Sequence, residues 1–149
     1  MALAADFPQT PIVLNHFGSP ILGGPNAGRA AEVFAEWRKS MIAPASHGNV
    51  HVKLGALPVR RSPAAREAKA LPLSSEEIAA AWRPFFEVCL EHFGANRCIF
   101  ESNFPVQKRW CSYAVLWNAV KRLASGASAD EKSALFRGTA ARAYRFPAR

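Results

Sequence analysis

The stretch NVHVKLG at residues 49–55 decides the fold. Val50, Val52 and Leu54 alternate with His51 and Lys53, and a period of two sends the two sets to opposite faces of a strand. Both flanks read as helix. Upstream, GRAAEVFAEWRKSM at 28–41 places Ala30, Val33, Phe34, Trp37 and Met41 on one stripe at helical spacing, with Pro44 and Gly48 expected to end it. Downstream, after a Pro- and Arg-containing loop over 56–73, SSEE opens a second helix with Ser74 and Glu77 spaced as a capping box. That helix runs to Phe93, Gly94 caps it, and Pro84 inside it predicts a kink or a break. Two more apolar runs, PIVLN at 11–15 and RCIFES at 97–102, read as strands. Helices follow over SYAVLWNAVKRLAS, over SADEKSALF with a second capping box of Ser128 and Glu131, and over GTAARAYRF as a short last element. Strands separated by helices pair in parallel, because the return needs a long crossover. The expected class is α/β, in one domain over 1–149.

Composition narrows the function. Half the residues are hydrophobic and 20% are charged, which excludes a disordered chain. No apolar run approaches the ~20 residues of a membrane span, and MALAADFPQT lacks the features of a secretory signal. Cys89, Cys98 and Cys111 form an odd set without CxxC spacing. That argues against a disulfide scaffold and a cysteine zinc site, and suits a reducing cytoplasm. The net charge of +8 raises a polyanion partner. Arg60, Arg61, Arg66 and Lys69 share one loop-like stretch, but Lys121, Arg122, Arg137, Arg142, Arg145 and Arg149 belong to late helices or the tail, where they alternate with apolar residues as solvated helix faces do. A basic nucleic-acid-binding module therefore rests on charge alone; no basic–aromatic interleaving supports it.

Chemistry collects at the carboxyl ends of parallel strands. Three such ends are polar here: Asn15-His16, Lys53-Gly55 and Glu101-Ser102-Asn103. With Val50, Val52 and Leu54 facing helices, His51 and Lys53 project to the other face, the inside of a barrel. An unpaired buried ammonium is costly, and Glu101 is the expected partner of Lys53.

VLNHFGSP, NVHVKLGAL, FGANRCIFESNFPVQK and LFRGTAARAYRF occur here in the order seen in the amidohydrolase-related family of metal-dependent hydrolases, which the chain resembles. Family members are TIM barrels that hydrolyse lactones, esters and amides or decarboxylate related acids. The resemblance covers nearly the whole chain but only the later part of the family's barrel. It therefore implies the C-terminal portion of a (β/α)8 barrel, with strand edges left open. It also implies that His16 is a metal ligand or substrate contact, since a neutral imidazole binds zinc or polarises a carbonyl. The family's last-strand motif usually reads S-D-W-P, whose Asp binds metal or activates water; this chain departs from it with Ser102-Asn103-Phe104-Pro105. Asn103 offers a carbonyl oxygen but takes no proton near neutral pH. Glu101 stands two residues earlier, where many relatives have a small residue, and about 6.6–6.8 Å along the same face. A carboxylate there can act as general base with Lys53 tuning it; the competing reading is a structural ion pair.

The family's first-strand H-x-H pair is absent. His47 and His51 have i, i+4 spacing, but Gly48 and Asn49 interrupt any helix, and His92 near a helix C-terminus suits the dipole. A divalent metal such as zinc is thus expected to bind weakly, if at all, to this chain alone. The expected catalytic residues are His16, Glu101 and Asn103. The expected substrate contacts are Lys53, holding a carboxylate, with His51, Trp110 and Tyr113. Trp37, Phe85, Phe86, Phe93, Trp117 and Phe136 are expected in the core, Cys98 buried in its strand, and Cys111 more exposed on a loop. Three readings compete: a hydrolase of small carboxylated lactones, esters or amides; an inactive or partner-dependent barrel fragment that self-associates or needs a second chain; and the nucleic-acid module.

Overall fold

The computed structural model describes residues 2–26, 28–56 and 72–147. Arg60, Arg61, Arg66, Lys69 and Arg149 lie outside them. The elements are α1 (Ala2–Asp6), β1 (Ile12–Leu14), α2 (Ala30–Ala45), β2 (Val50–Leu54), α3 (Ser75–Phe93), β3 (Cys98–Phe100), α4 (Tyr113–Leu123), α5 (Ala129–Ser133) and α6 (Thr139–Ala143). The three strands form one parallel sheet in the order β1-β2-β3. Ile12 pairs with Val50 and Leu14 with Val52, while Val52 pairs with Cys98 and Leu54 with Phe100. Paired residues share a face, so the alternation of β2 propagates across the sheet. Val50, Val52, Leu54 and Cys98 are fully buried with the helices' apolar residues, and His51 and Lys53 are half-buried on the other face. Among the described residues the sheet is open at the outer edges of β1 and β3.

The core is aromatic on the β1 side. Phe17 meets the rings of Trp82 and Phe85 edge-on at 6.0 and 6.3 Å. Phe85 also contacts Phe34 and Trp37 at 5.1 and 4.8 Å. The Trp37 indole N–H donates to the Phe17 carbonyl at 2.7 Å, so the buried indole keeps a partner. Both capping boxes form: Ser74 Oγ accepts from the Glu77 amide at 3.1 Å, and Ser128 Oγ from the Glu131 amide at 3.2 Å, with each glutamate accepting in return.

Several expectations are corrected. Pro84 does not break α3, because the burial of Trp82, Phe85, Phe86 and Cys89 holds the helix around one missing N–H. Likewise Pro44 lies inside the last turn of α2, which continues to Ala45. Gly138 (φ −59°, ψ −45°) is helical, so α5 runs into α6 through a π-helical turn, Ala134–Gly138. Phe136 is exposed rather than core, although it still contacts Phe100 at 4.9 Å. Cys111 is buried rather than exposed. Cys98 is buried as expected, and burial pushes its thiol up to about 12. No described helix is long and apolar enough to cross a membrane.

Arg97, just before β3, ties the lower end of the sheet together. Its guanidinium donates to five carbonyls: Ala45 at 2.8 Å, His47 at 2.9 Å, Phe93 at 3.1 Å, His92 at 3.3 Å and Val50 at 3.4 Å.

Candidate active site

The site begins where β1 ends. His16, Phe17 and Ser19 adopt left-handed backbone at φ 55°, 54° and 58°. Such backbone is costly for residues with side chains and persists only where the surroundings enforce it. Here Phe17 is fully buried, and the Gly18 and Ser19 amides donate back to Asn15 and His16 at 2.9 and 2.8 Å. The turn sends the His16 imidazole across β2 towards the end of β3.

There Glu101 receives it. His16 Nδ1 lies 2.5 Å from Glu101 Oε1, and the His16 amide donates to the same oxygen at 3.2 Å. The other oxygen, Oε2, lies 3.6 Å from Lys53 Nζ. The Glu101 amide itself donates to Leu54 at 3.3 Å, which fixes its backbone beside β2. Side-chain exposure rises from 11% at Glu101 through 26% at Lys53 to 37% at His16, so the carboxylate sits innermost and the imidazole at the mouth. Lys53 Nζ lies over the Tyr144 ring, 5.8 Å from its centroid, where the π-face can stabilise the ammonium.

Three of the expected residues are therefore brought together, with Glu101 between His16 on one oxygen and Lys53 on the other. Asn103 follows two residues on with left-handed backbone (φ 51°). Tyr113 stands against Phe104 at 5.1 Å, next to Asn103 in sequence, with its side chain exposed. Trp110 is exposed, and no hydrogen bond or ring contact among the described residues ties its side chain to the three. His51 shares the face of Lys53, but the charges that act on it, Arg97 and Arg142, flank the start of β3, opposite the end that carries Glu101. Tyr144 was not singled out by sequence, and Gly55, which borders Glu101, was named only as part of a strand end, without a role. Tyr144 lies 91 positions from Lys53, and no spacing links the two; a glycine directly after a strand is a usable signal of close approach.

Burial holds the His51 pKa below its usual 6.5; a backbone contact at Asn49 opposes it, Arg97 and Arg142 add to the lowering, and Ile12 opposes it least. The unfolded chain then binds this proton more readily than the folded one. Stability from the neutral ring is present above about pH 6.5 and is lost as pH falls below it. A melting temperature that declines from pH 7 towards pH 5, with a shallower decline in His51→Gln, is the expected result of thermal unfolding across that range.

A divalent metal finds an incomplete donor set here. His16 Nδ1 and Glu101 Oε1 are engaged with each other, Oε2 faces an ammonium, and Asn103 is a neutral amide. Among the described residues no three His, Cys, Asp or Glu side chains group closely enough to hold a metal ion. These residues do not by themselves compose a zinc site.

Comparison with known proteins places this geometry. The family model "Amidohydrolase" matches residues 2–146. The chain is 38% identical over 145 residues to the uncharacterized protein y4mH of Sinorhizobium fredii, covering 97% of this chain and 42% of that protein. It is 34% identical over 137 residues to L-fucono-1,5-lactonase of Burkholderia multivorans, covering 91% and 43%. In structure it is similar to an amidohydrolase from Burkholderia multivorans crystallised with bound HEPES, at TM-score 0.79 and 32% identity, and to a zinc-bound crystal form, at 0.77 and 31%. In both, 98% of this chain aligns with 48% of the other. The chain thus spans less than half the length of these relatives, and its open parallel sheet is a portion of their TIM barrel. By sequence and by shape, this chain belongs to the amidohydrolase family.

Proposed function

We propose that this chain carries a hydrolytic half-site that opens a small lactone or ester, with the His16–Glu101 contact at 2.5 Å as the observation that carries the reading. Glu101 accepts the Nδ1–H and fixes the tautomer, which leaves Nε2 as the nitrogen able to take a proton. Nε2 removes one proton from a water as the water oxygen adds to the carbonyl. It then returns that proton to the ring oxygen as the acyl–oxygen bond breaks, and a hydroxy acid leaves. Glu101 assists the water through the imidazole, and its charge stabilises the imidazolium between the two steps. Lys53 lies beside the Glu101 carboxylate and binds a substrate carboxylate, while the Asn103 amide donates to a substrate oxygen. The likeness to a lactonase supports a sugar lactone or a similar cyclic ester as the substrate class.

A panel of sugar lactones and carboxylated ring lactones, run beside metal analysis of the purified chain, tests this. The expected result is turnover that falls at least ~10²-fold in His16→Ala, the smallest effect usual for a general base. Turnover unchanged in that variant sinks the reading.

The open edges of β1 and β3 favour a second reading alongside the first. Exposed edges pair with further strands, so the site is completed by strands from a second chain or a second copy. Light scattering is expected to show more than a monomer when the chain is active.

A further inference from the structure

We infer that Gly55 is a positioning residue of this site: by carrying no side chain, it lets Glu101 reach His16 and Lys53 at the same time. The inference rests on the site proposed above but not on its catalysis. Gly55 directly follows β2 and lies against Glu101 at the end of β3. A Cβ at this position would stand 2.5 Å from the Glu101 carbonyl oxygen and 2.6 Å from its Cγ. Both are far inside the ~3.5–4.0 Å of ordinary contact. The backbone of Gly55 is not left-handed, so the requirement is for space and not for an unusual φ.

Neither neighbour can yield without loss. The carbonyl belongs to a residue whose amide is bonded to Leu54. The Cγ carries a carboxylate held by the His16 amide, by His16 Nδ1 and by Lys53. Lys53 Nζ also lies 5.8 Å from the Tyr144 ring, so following a displaced carboxylate would change that contact too. Any side chain at 55 therefore moves Glu101 out of its contact with His16, with Lys53, or with both.

The test is Gly55→Ala in the full chain, alone and combined with Glu101→Gly. An Nδ1–H held by the Glu101 carboxylate gives a protonated-Nδ1 resonance in nitrogen spectra of the neutral ring, assigned to His16 by its loss in His16→Ala. It is expected in the wild type and expected to vanish in Gly55→Ala. The melting temperature is expected to drop by roughly 5–10 °C in Gly55→Ala, the scale of an overpacked site in a chain this size. Part of that drop is expected to disappear in the Glu101→Gly background, where the Cγ contact at 2.6 Å is gone and the carbonyl contact at 2.5 Å remains. A resonance that survives in Gly55→Ala overturns the inference. So does a melting loss, or a failure to fold, that is the same with and without the Glu101 side chain. A wild type lacking the resonance overturns this inference and the catalytic reading together, whereas the expected spectra without any turnover overturn the catalytic reading alone.

Discussion

Replacing Glu101 by glutamine is expected to lower kcat for a responsive lactone by about 10²–10³-fold while KM changes little. The reasoning starts from charge. An amide oxygen still accepts the Nδ1–H, so the tautomer is partly held. What is lost is the negative charge facing the imidazolium that forms as water adds. Carboxylate-to-amide changes behind a catalytic histidine cost up to about 10⁴-fold. The loss here is set lower because Glu101 also neutralises Lys53 at 3.6 Å, so not all of its field acts on His16. His16→Ala is expected to fall as far, and the double variant no further than either single one, because the pair acts as a unit. Steady-state kinetics on the three variants decides. Additive losses would separate the two residues, and an unimpaired Glu101→Gln would leave Glu101 as a structural ion pair with no part in proton transfer.

How much of this was legible in the sequence depends on whether a feature is local. The alternation in β2 settled which face meets the helices, since a period of two has no other outcome. The pairing of Lys53 with Glu101 was also legible, because a half-buried ammonium needs an anion and few are near a strand end. The capping boxes at Ser74 and Ser128 formed because they need only three residues. The His16–Glu101 contact was not legible. It depends on a left-handed turn at His16, Phe17 and Ser19, enforced by the burial of Phe17 beneath Trp82 and Phe85. That is a tertiary cause invisible in a window of eight residues. The two prolines misled for the same reason. Pro84 and Pro44 are breakers by local chemistry, yet the packed faces around them outweigh one missing hydrogen bond. Cys111 looked exposed because its neighbours read as loop, and the fold buries it nonetheless.

The largest loss of stability is expected from Arg97→Ala, at about 3–5 kcal/mol. Five carbonyls converge on this guanidinium, and they come from three separate parts of the chain: the end of α3 (His92, Phe93), the end of α2 and its following turn (Ala45, His47), and the first residue of β2 (Val50). Helix C-terminal carbonyls lack intrahelical partners and carry partial negative charge, so a cation there answers both needs. Each charge-assisted bond contributes about 1.5–3 kcal/mol, but five on one side chain do not add, and water replaces some of them at a half-buried site. Removing Arg97 also takes away its stacking over the Phe93 ring at 5.3 Å. Arg97→Lys keeps the charge but not the planar fork, and it is expected to recover less than half of the loss. Urea unfolding reads the difference as a lower midpoint at unchanged slope. A loss below about 1 kcal/mol would mean that water satisfies the five carbonyls equally well. The same variant carries an internal check, because Arg97 is one of the charges that hold the His51 pKa down. With it gone, the decline in stability below pH 6.5 becomes shallower than in the wild type, though not flat, since burial is the larger cause and Arg142 remains.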